Sequence, residues 1–198
     1  MKYLILFVLL ISSTILNAQI RNPNSISVSY FGESITHPGL KIGVGYQLKS
    51  WDKTKESKNE SSKIINKSFD LTPSIGFFYH KDYQTGLFIL PEISYTRKNA
   101  KGNFIAFGLG AGYMRTSIPN VHEINSSNEI ESTSGGNNYF ATNYFISFGK
   151  DLSIKHKTPL DIFFKPQIMY VLPNYSTGIA YFAIELGVGY KLVKSGMK

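Results

Sequence analysis

The sequence predicts an all-β fold, namely an antiparallel eight-stranded transmembrane β-barrel. Eight segments alternate between apolar and polar residues with a period of two, from about residue 25 onward. Seven of them run 9 to 13 residues, whereas ordinary strands average about 5 or 6 and tilted bilayer-spanning strands need about 9 to 11. The composition, with 14% aromatic residues and 17 glycines, also favours strands and turns over helices.

The first 18 residues are predicted to form a signal peptide that is cleaved during export. Lys2 provides a positive charge near the N-terminus, residues 3–16 are largely apolar, and Ala18 is the small residue that signal peptidase prefers. A membrane-anchor helix is the alternative, but the apolar run falls short of the roughly 20 residues that span a bilayer. Residues 19–198 are therefore expected to form the barrel domain.

The eight segments follow one another without an intervening helical pattern. In chain order they span residues 26–30, 40–48, 69–79, 87–95, 105–113, 140–148, 160–172 and 180–192. The last shows the pattern most clearly, because large apolar residues such as Leu186 alternate with glycines such as Gly187; the first and sixth are weaker. Pro73, Pro91 and Pro166 fall within predicted strands and lack a backbone donor, so bulges or local disorder are expected there.

The apolar face of each segment is predicted to point outward to lipid. The other face is rich in glycine, for example at Gly43, Gly45 and Gly189, and glycine suits a narrow lumen although it weakens an exposed strand. A soluble lipocalin-type barrel, the alternative, would place its apolar face inside. Aromatic residues near the segment ends are expected to form interfacial girdles: Tyr46, Tyr79, Tyr95, Tyr113, Phe148, Tyr170 and Tyr190.

The final segment resembles the strand signal that the barrel-assembly machinery recognises in bacterial outer membranes. In this chain the signal consists of polar Glu185 followed by Gly187, Tyr190 and Leu192. Residues 30–46 resemble the opening hairpin of small uncharacterised outer-membrane barrels of Bacteroidota-type bacteria, and the architecture is similar to OmpA-type and OmpX-type barrels. The resemblance implies an outer-membrane location, with membrane lipids and the assembly machinery as partners. It implies no activity, because a fold does not determine a function.

Six charged residues on the polar faces are predicted to form an ion-pair network in the lumen. They are Lys41, Asp70, Glu92, Asp161, Lys165 and Glu185. An unpaired buried charge costs several kcal/mol, so a narrow lumen has to pair these groups, and the pairs would plug it. A narrow passive channel is the alternative. A closing hairpin centred on Tyr175 places Lys165 directly opposite Glu185.

The connections between the segments divide into two rims. The rim that carries both termini is rich in lysine, which is typical of solvated loops; the alternative is attraction to anionic headgroups or to a periplasmic polymer. In a cytosolic protein a net charge of +8 would indicate nucleic-acid binding. In an exported protein the same charge indicates anionic lipid as the partner. Residues 49–67 at this rim are expected to be a short helix or disordered. Residues 117–136, at the other rim, are polar and are expected to form a mobile surface loop.

The sequence contains no pattern that indicates catalysis, a cofactor or a metal site. The nearest approach to a nucleophile–base set is His122 with Glu123 and Ser126, in a polar loop. His37 and His80 are expected on one rim but lack the close spacing of metal ligands, and the absence of cysteine excludes thiolate sites. The predicted role is structural or surface interaction with an envelope or external partner. A lipid-modifying outer-membrane enzyme is a further alternative.

Overall fold

The computed structural model describes residues 22–33, 37–55, 63–81, 84–124, 130–172 and 178–192, and the predicted signal peptide lies outside them. Within these residues the chain forms eleven β-strands and one short helix, α1 (Ser153–His156). The strands are β1 (Ser25–Glu33), β2 (His37–Lys55), β3 (Lys63–Thr72), β4 (Ser74–His80), β5 (Gln84–Ile89), β6 (Glu92–Asn99), β7 (Asn103–Ile124), β8 (Ile130–Gly135), β9 (Asn138–Asp151), β10 (Leu160–Leu172) and β11 (Ile179–Lys191). No helix in this part of the chain is long and apolar enough to cross a membrane.

The strands close into an antiparallel ring of eight barrel strands. β3 and β4 are two halves of one barrel strand, and β5 and β6 are two halves of the next, because both halves keep the same register against each other. β8 pairs with β7 away from the main ring. The ring closes at β1, which pairs with β2 on one side and with β11 on the other. The predicted fold class is confirmed.

The prolines interrupt pairing without breaking the ring. Pro73 separates β3 from β4, and Pro91 lies between β5 and β6. Pro73 remains an acceptor, since the Val44 amide donates to its carbonyl at 3.0 Å. Pro166 stays inside β10, where it lies opposite Ile184 of β11 but has no paired residue on β9. The irregularities expected at the prolines are therefore local gaps in the hydrogen-bond ladder, which the missing N–H groups explain.

The strands are strongly staggered around the ring. Followed from strand to strand, the registers lead from Tyr190 of β11 round the barrel to Ala180 of the same strand. Such a stagger inclines the strands to the barrel axis, as closure of a small barrel requires. It brings outward aromatic residues of different strands to one level near the end of the barrel where both chain termini lie, here called the terminal rim: Tyr46, Phe69, Tyr95, Phe148 and Tyr190.

A belt of large apolar side chains covers the outside of the barrel. The exposed apolar side chains are between 39% and 68% accessible, and they alternate with buried residues along the strands. Examples from six strands are Val28, Ile42, Phe77, Leu109, Ile146 and Phe182. An apolar surface that surrounds a closed ring fits the hydrocarbon of a bilayer, because every backbone group in the ring can be paired internally. The barrel is therefore a transmembrane one, and its glycine-rich face points inward as predicted.

Lumen-facing glycines make room for aromatic rings on the neighbouring strand. Gly86 lies directly opposite Phe78, and an added Cβ at Gly86 would overlap the Phe78 ring. The same pairing of a glycine with a phenylalanine directly opposite it recurs at Gly76 with Phe88, Gly108 with Phe145, Gly149 with Phe104, and Gly187 with Phe163. These pairs show why the polar face of the sequence is rich in glycine: each ring needs the space that a side chain on the opposite residue would fill.

The two long connections differ from the sequence-based expectation. Residues 49–55 and 63–67 continue β2 and β3 as a paired hairpin, so neither a short helix nor disorder describes them. β7 continues to Ile124 and pairs with β8, so a second hairpin replaces much of the expected mobile loop at 117–136. Residues 56–62 and 125–129 lie outside the described parts. The period of two did not reveal these extensions, because it is informative only where one face is apolar.

The glycine–phenylalanine pairing generates a stability prediction. Gly86→Ala should lower the free energy of unfolding by about 1–3 kcal/mol, because the new methyl group overpacks the Phe78 ring. Phe78→Leu alone should also destabilise, by loss of buried area. In the double variant the smaller Leu side chain should accommodate the methyl group, so the combined loss should be clearly smaller than the sum. Denaturant titration in detergent measures all three, and strictly additive losses would contradict the proposed contact.

Candidate functional site

Four charged side chains from four strands meet in the middle of the lumen. Lys41 Nζ lies 2.6 Å from Glu92 Oε1 and 3.2 Å from Glu185 Oε2. Lys165 Nζ lies 2.9 Å from Glu92 Oε2 and 2.9 Å from Glu185 Oε2. Each lysine thus bridges both glutamates, and the four groups form a closed ring of alternating charge, here called the ion-pair ring. Its net charge is zero.

Neutral polar side chains complete the hydrogen bonds of the two glutamates. Asn143 Nδ2 donates to Glu92 Oε1 at 2.6 Å and to Gln167 Oε1 at 2.8 Å. Gln167 Nε2 donates to Glu185 Oε2 at 3.2 Å, and Ser29 Oγ donates to Glu185 Oε1 at 2.7 Å. All of these residues are buried. Such pairing is what makes charges tolerable in a low-dielectric interior. Within the described residues, Asn143 Oδ1 is the atom of this network that has no hydrogen-bond partner.

The residues of the ion-pair ring meet for two reasons. Each occupies an inward-facing position in the alternation of its strand, and the stagger of the strands brings the four positions to one height in the lumen. Lys165 lies directly opposite Glu185 in the closing hairpin, which confirms the register predicted from Tyr175. Glu92 begins β6 immediately after the break at Pro91. Gly110 lies opposite it, and a side chain there would collide with both Glu92 and Asn143. The position next to the ring thus has to be a glycine.

A polar vestibule lies between the ion-pair ring and the terminal rim. The cavity has a volume of about 260 Å³, and its lining includes all four residues of the ring together with serines, threonines and glycines of several strands. Asp70 lies on its wall and accepts hydrogen bonds from Ser68 Oγ at 2.7 Å and Thr96 Oγ1 at 2.9 Å. Asp161 lines it too, opposite Gly189. The vestibule is therefore a concave space with hydroxyl and carboxylate groups on its walls.

A second ionic cluster lies near the mouth of the vestibule. Asp151, the last residue of β9, forms an ion pair with Lys191 and another with Lys98 at 3.0 Å. It also accepts hydrogen bonds from the amide and hydroxyl groups of Ser153 at the start of α1. Asp151 is 2% exposed, whereas its lysine partners are partly exposed. This carboxylate therefore ties β6, β9 and β11 to the turn that precedes β10.

Apolar side chains occupy the lumen on the other side of the ion-pair ring. They form a buried cluster: Phe31, Phe78, Phe88, Leu90, Met114, Tyr139, Ala141, Met169, Val171, Tyr181 and Ala183. The ring centroids of Phe31 and Phe88 are 4.9 Å apart, and those of Phe78 and Tyr181 are 6.2 Å apart. We call this cluster the apolar layer. Along the barrel axis the lumen thus contains the vestibule, the ion-pair ring and the apolar layer in turn.

Of the six lumen charges predicted from the sequence, the structure brings four together. Lys41, Glu92, Lys165 and Glu185 form the ion-pair ring, whereas Asp70 and Asp161 lie apart from it in the vestibule. The sequence-based reasoning omitted Asn143, Ser29 and Asp151. Asn143 and Ser29 lie on the inward face by parity, which could have revealed them, but uncharged polar residues give no sign of which carboxylate they contact. Asp151 lies between the predicted segments 140–148 and 160–172, although in the structure it ends β9.

The structure describes the side chains of His37, His80 and His156, but not that of His122. The rings of His37 and His80 lie 3.5 Å apart between centroids, at the rim opposite the terminal rim. The side chains of His122, Glu123 and Ser126 lie outside the described ones, so the nucleophile–base alternative stays untested. Within the described residues, no group of three or more His, Cys, Asp or Glu side chains is arranged to hold a metal ion.

The residues of the predicted assembly signal lie on different faces of β11 or just beyond its end. Gly187 faces the lumen opposite Phe163, Tyr190 is on the outside and 49% exposed, and Leu192 follows the last residue of the strand. Recognition by the assembly machinery stays a prediction.

The comparisons with known proteins concern the fold. No protein-family model and no curated protein matches the chain. Among solved structures it is similar to the N-terminal β-barrel domain of Pseudomonas aeruginosa OprF, with 15% identity, 87% of this chain and 100% of that chain covered, and a TM-score of 0.45. It is also similar to the outer-membrane enzyme PagL, with 13% identity, coverage of 82% and 97%, and a TM-score of 0.39.

A third similar structure is Ail, the attachment invasion locus protein of Yersinia pestis, with 16% identity, coverage of 87% and 100%, and a TM-score of 0.35. At such identities a likeness concerns the fold alone. The chain's own strand pairing and apolar belt carry the assignment. A closed antiparallel ring with an outward-facing apolar belt is typical of outer-membrane barrels. The protein has the fold of an outer-membrane β-barrel.

The ion-pair ring generates a coupling prediction. Lys165→Met and Glu185→Gln should each lower the free energy of unfolding, by roughly 3–5 kcal/mol if the site is dry and less if water enters, because each leaves a buried charge short of a partner. The double variant should recover part of the loss. A double-mutant cycle by denaturant titration in lipid or detergent measures the coupling.

Asp70→Asn provides the matched control for this cycle. Asp70 is held by hydroxyl groups in the vestibule and has no place in the ion-pair ring. Combined with Lys165→Met, it should show additive losses. If the Lys165 and Glu185 losses are equally additive, the two side chains do not interact.

Proposed function

We propose that the protein is a non-conducting outer-membrane barrel with a structural or surface-interaction role, whose lumen stabilises the fold while its rims contact an envelope component or an external partner. The observation that carries the proposal is the filling of the lumen at two successive levels, by the ion-pair ring and by the apolar layer.

Burial at both levels supports a closed lumen. The side chains of the ion-pair ring are between 3% and 8% exposed. In the apolar layer, Phe88, Leu90 and Met114 are 0% exposed. A hydrated ion would have to break the ion pairs and then displace packed rings, and packed interiors resist such displacement. The lumen therefore acts as a core that holds the strands together.

The two projecting hairpins support a role at the rims. One continues β2 and β3 at the terminal rim, and its sequence is rich in lysine. The other joins β7 to β8 at the opposite rim, where Glu123 lies opposite Glu131 in the backbone register. Regular strands that extend beyond the belt provide edges and faces on which a partner can bind. The opposite charge of the two hairpins would suit different partners on the two sides of the membrane.

The channel alternative has one observation in its favour, the vestibule. This cavity reaches the ion-pair ring from the terminal rim, and carboxylates line its wall. Conduction would need the ring and the apolar layer to rearrange together. The alternative of a lipid-modifying enzyme depends on His122, Glu123 and Ser126, whose side chains lie outside the described ones.

Conductance measurements separate the closed barrel from the channel. The purified protein in planar bilayers should show no steady unitary conductance, and Glu92→Gln should stay silent as well, because the apolar layer closes the lumen independently of the ion-pair ring. Refolding is checked by the faster migration of the unboiled barrel on a gel. Steady unitary currents in the wild type, with an ion selectivity that Glu92→Gln alters, would establish the channel instead.

Labelling on intact cells tests which rim faces outward. The chain has no cysteine, so an introduced cysteine is the single thiol of this protein. Ser126→Cys, between β7 and β8, should react with a membrane-impermeant maleimide on intact cells. Ser57→Cys, between β2 and β3, should react only after the outer membrane is permeabilised. The reverse result would place the lysine-rich rim at the cell surface.

A further inference from the structure

The outer surface of β2, β3 and β6 carries an unusual set of residues at the terminal rim. Nine outward positions on these strands contain four cations and three aromatic residues but no carboxylate. We call them the basic–aromatic patch: Lys49, Trp51, Lys53, Ile65, Lys67, Phe69, Tyr95, Arg97 and Asn99. None of the lumen features described above involves these side chains.

A β-bulge creates the patch. Up to Tyr46 the even-numbered residues of β2 face outward, and the register then shifts between Gln47 and Lys49. The extra residue, Leu48, reverses the parity, as a bulge does. Lys49 and Trp51 thereby join the outer face instead of the inner one. Without the bulge, Lys49 and Lys53 would lie on the inner face of β2.

The patch is organised in rows across the three strands. Lys49, Phe69 and Tyr95 form the row nearest the apolar belt; Trp51, Lys67 and Arg97 form the next; Lys53, Ile65 and Asn99 form the outermost. Because Phe69 and Tyr95 belong to the terminal-rim aromatic level, the second row lies one step beyond it. In a bilayer that level is where headgroups begin.

Aromatic contacts hold the patch in shape. The ring centroids of Trp51 and Phe69 are 5.7 Å apart, and those of Phe69 and Tyr95 are 5.5 Å apart. Lys49 Nζ lies 6.0 Å from the Trp51 ring, and Lys67 Nζ lies 6.0 Å from the Tyr95 ring. The lysine side chains therefore rest against an aromatic platform with their ammonium groups beside it.

The charges of the patch are not balanced within the described part of the chain. Lys67 lies directly opposite Arg97, and like charges in that position repel each other. The nearby carboxylates on these strands face the other side: Asp52 accepts from Asn66, and Asp70 accepts from Ser68 and Thr96. An anion between Lys67 and Arg97 would turn this repulsion into two charge-assisted contacts.

We propose that the basic–aromatic patch binds the phosphate headgroup of an anionic phospholipid in the leaflet at the terminal rim. The phosphate lies between Lys67 and Arg97, with Lys49 and Lys53 on either side, and the acyl chains lie along the apolar belt beside Phe69 and Tyr95. Charge complementarity and the level of the patch in the bilayer both favour this occupant. The site goes beyond the proposed role of the barrel, because it assigns a ligand chemistry to one face.

Trp51 provides a built-in reporter, since the chain has one tryptophan. The refolded protein is placed in vesicles of phosphatidylcholine brominated near the top of its acyl chains, which quenches Trp51. Unbrominated phosphatidylglycerol should relieve the quenching at lower mole fractions than unbrominated phosphatidylcholine does. Lys67→Gln with Arg97→Gln should reduce this preference by roughly fivefold for each cation removed.

The matched control removes two cations from the opposite rim, in Lys81→Gln with Arg115→Gln, and should keep the full preference. The gel shift of the unboiled protein verifies that both double variants fold. An equal loss in the control would show general charge attraction and overturn the site. A lack of preference in the wild type would do the same. If inorganic phosphate, added to protein in pure phosphatidylcholine, changes Trp51 emission as phosphatidylglycerol does, the site takes free phosphate and the lipid assignment is wrong.

Discussion

Closure of the sheet between β1 and β11 sets the width of the lumen, and the interior of the protein follows from that width. Eight strands leave room for side chains only, so a large ring on one strand requires a glycine on its neighbour, as Phe78 requires Gly86. The same confinement brings Lys41 and Lys165 within reach of both glutamates. In a wider barrel water would separate these charges, and each lysine would lose its second partner.

Much of the fold could be predicted because one face of each strand meets lipid. Alternation identified the eight barrel strands, the glycine-rich face identified the inward side, and the short closing turn fixed the register of Lys165 with Glu185. Alternation carries no information where a strand leaves the membrane and is polar on both faces. The extensions of β2, β3 and β7 were missed for that reason, and so was the bulge at Leu48, since a parity change shows only against an apolar pattern.

The sequence predicted which charged residues face the lumen, but not how far along the barrel axis each of them lies. Parity placed Asp70 and Asp161 on the same inward face as the ion-pair ring, yet their height along the barrel depends on the stagger that accumulates around the ring. That stagger is a property of all eight pairings together, so no single hairpin reveals it. The contacts of Asn143 with Glu92 and Gln167 depend on the same accumulated stagger. The sequence therefore limits the membership of such a network without deciding its geometry.

The ion-pair ring also bears on the order of events during biogenesis. Lys41 and Glu92 come from early barrel strands, whereas Lys165 and Glu185 come from the last two. Until the final hairpin joins the first strands, each of these groups lacks one of its two ion-pair partners, and only water can replace it. Hydrocarbon offers no such replacement. An open sheet is therefore less stable in hydrocarbon than the closed barrel, because closure supplies the missing partner of each of the four charges.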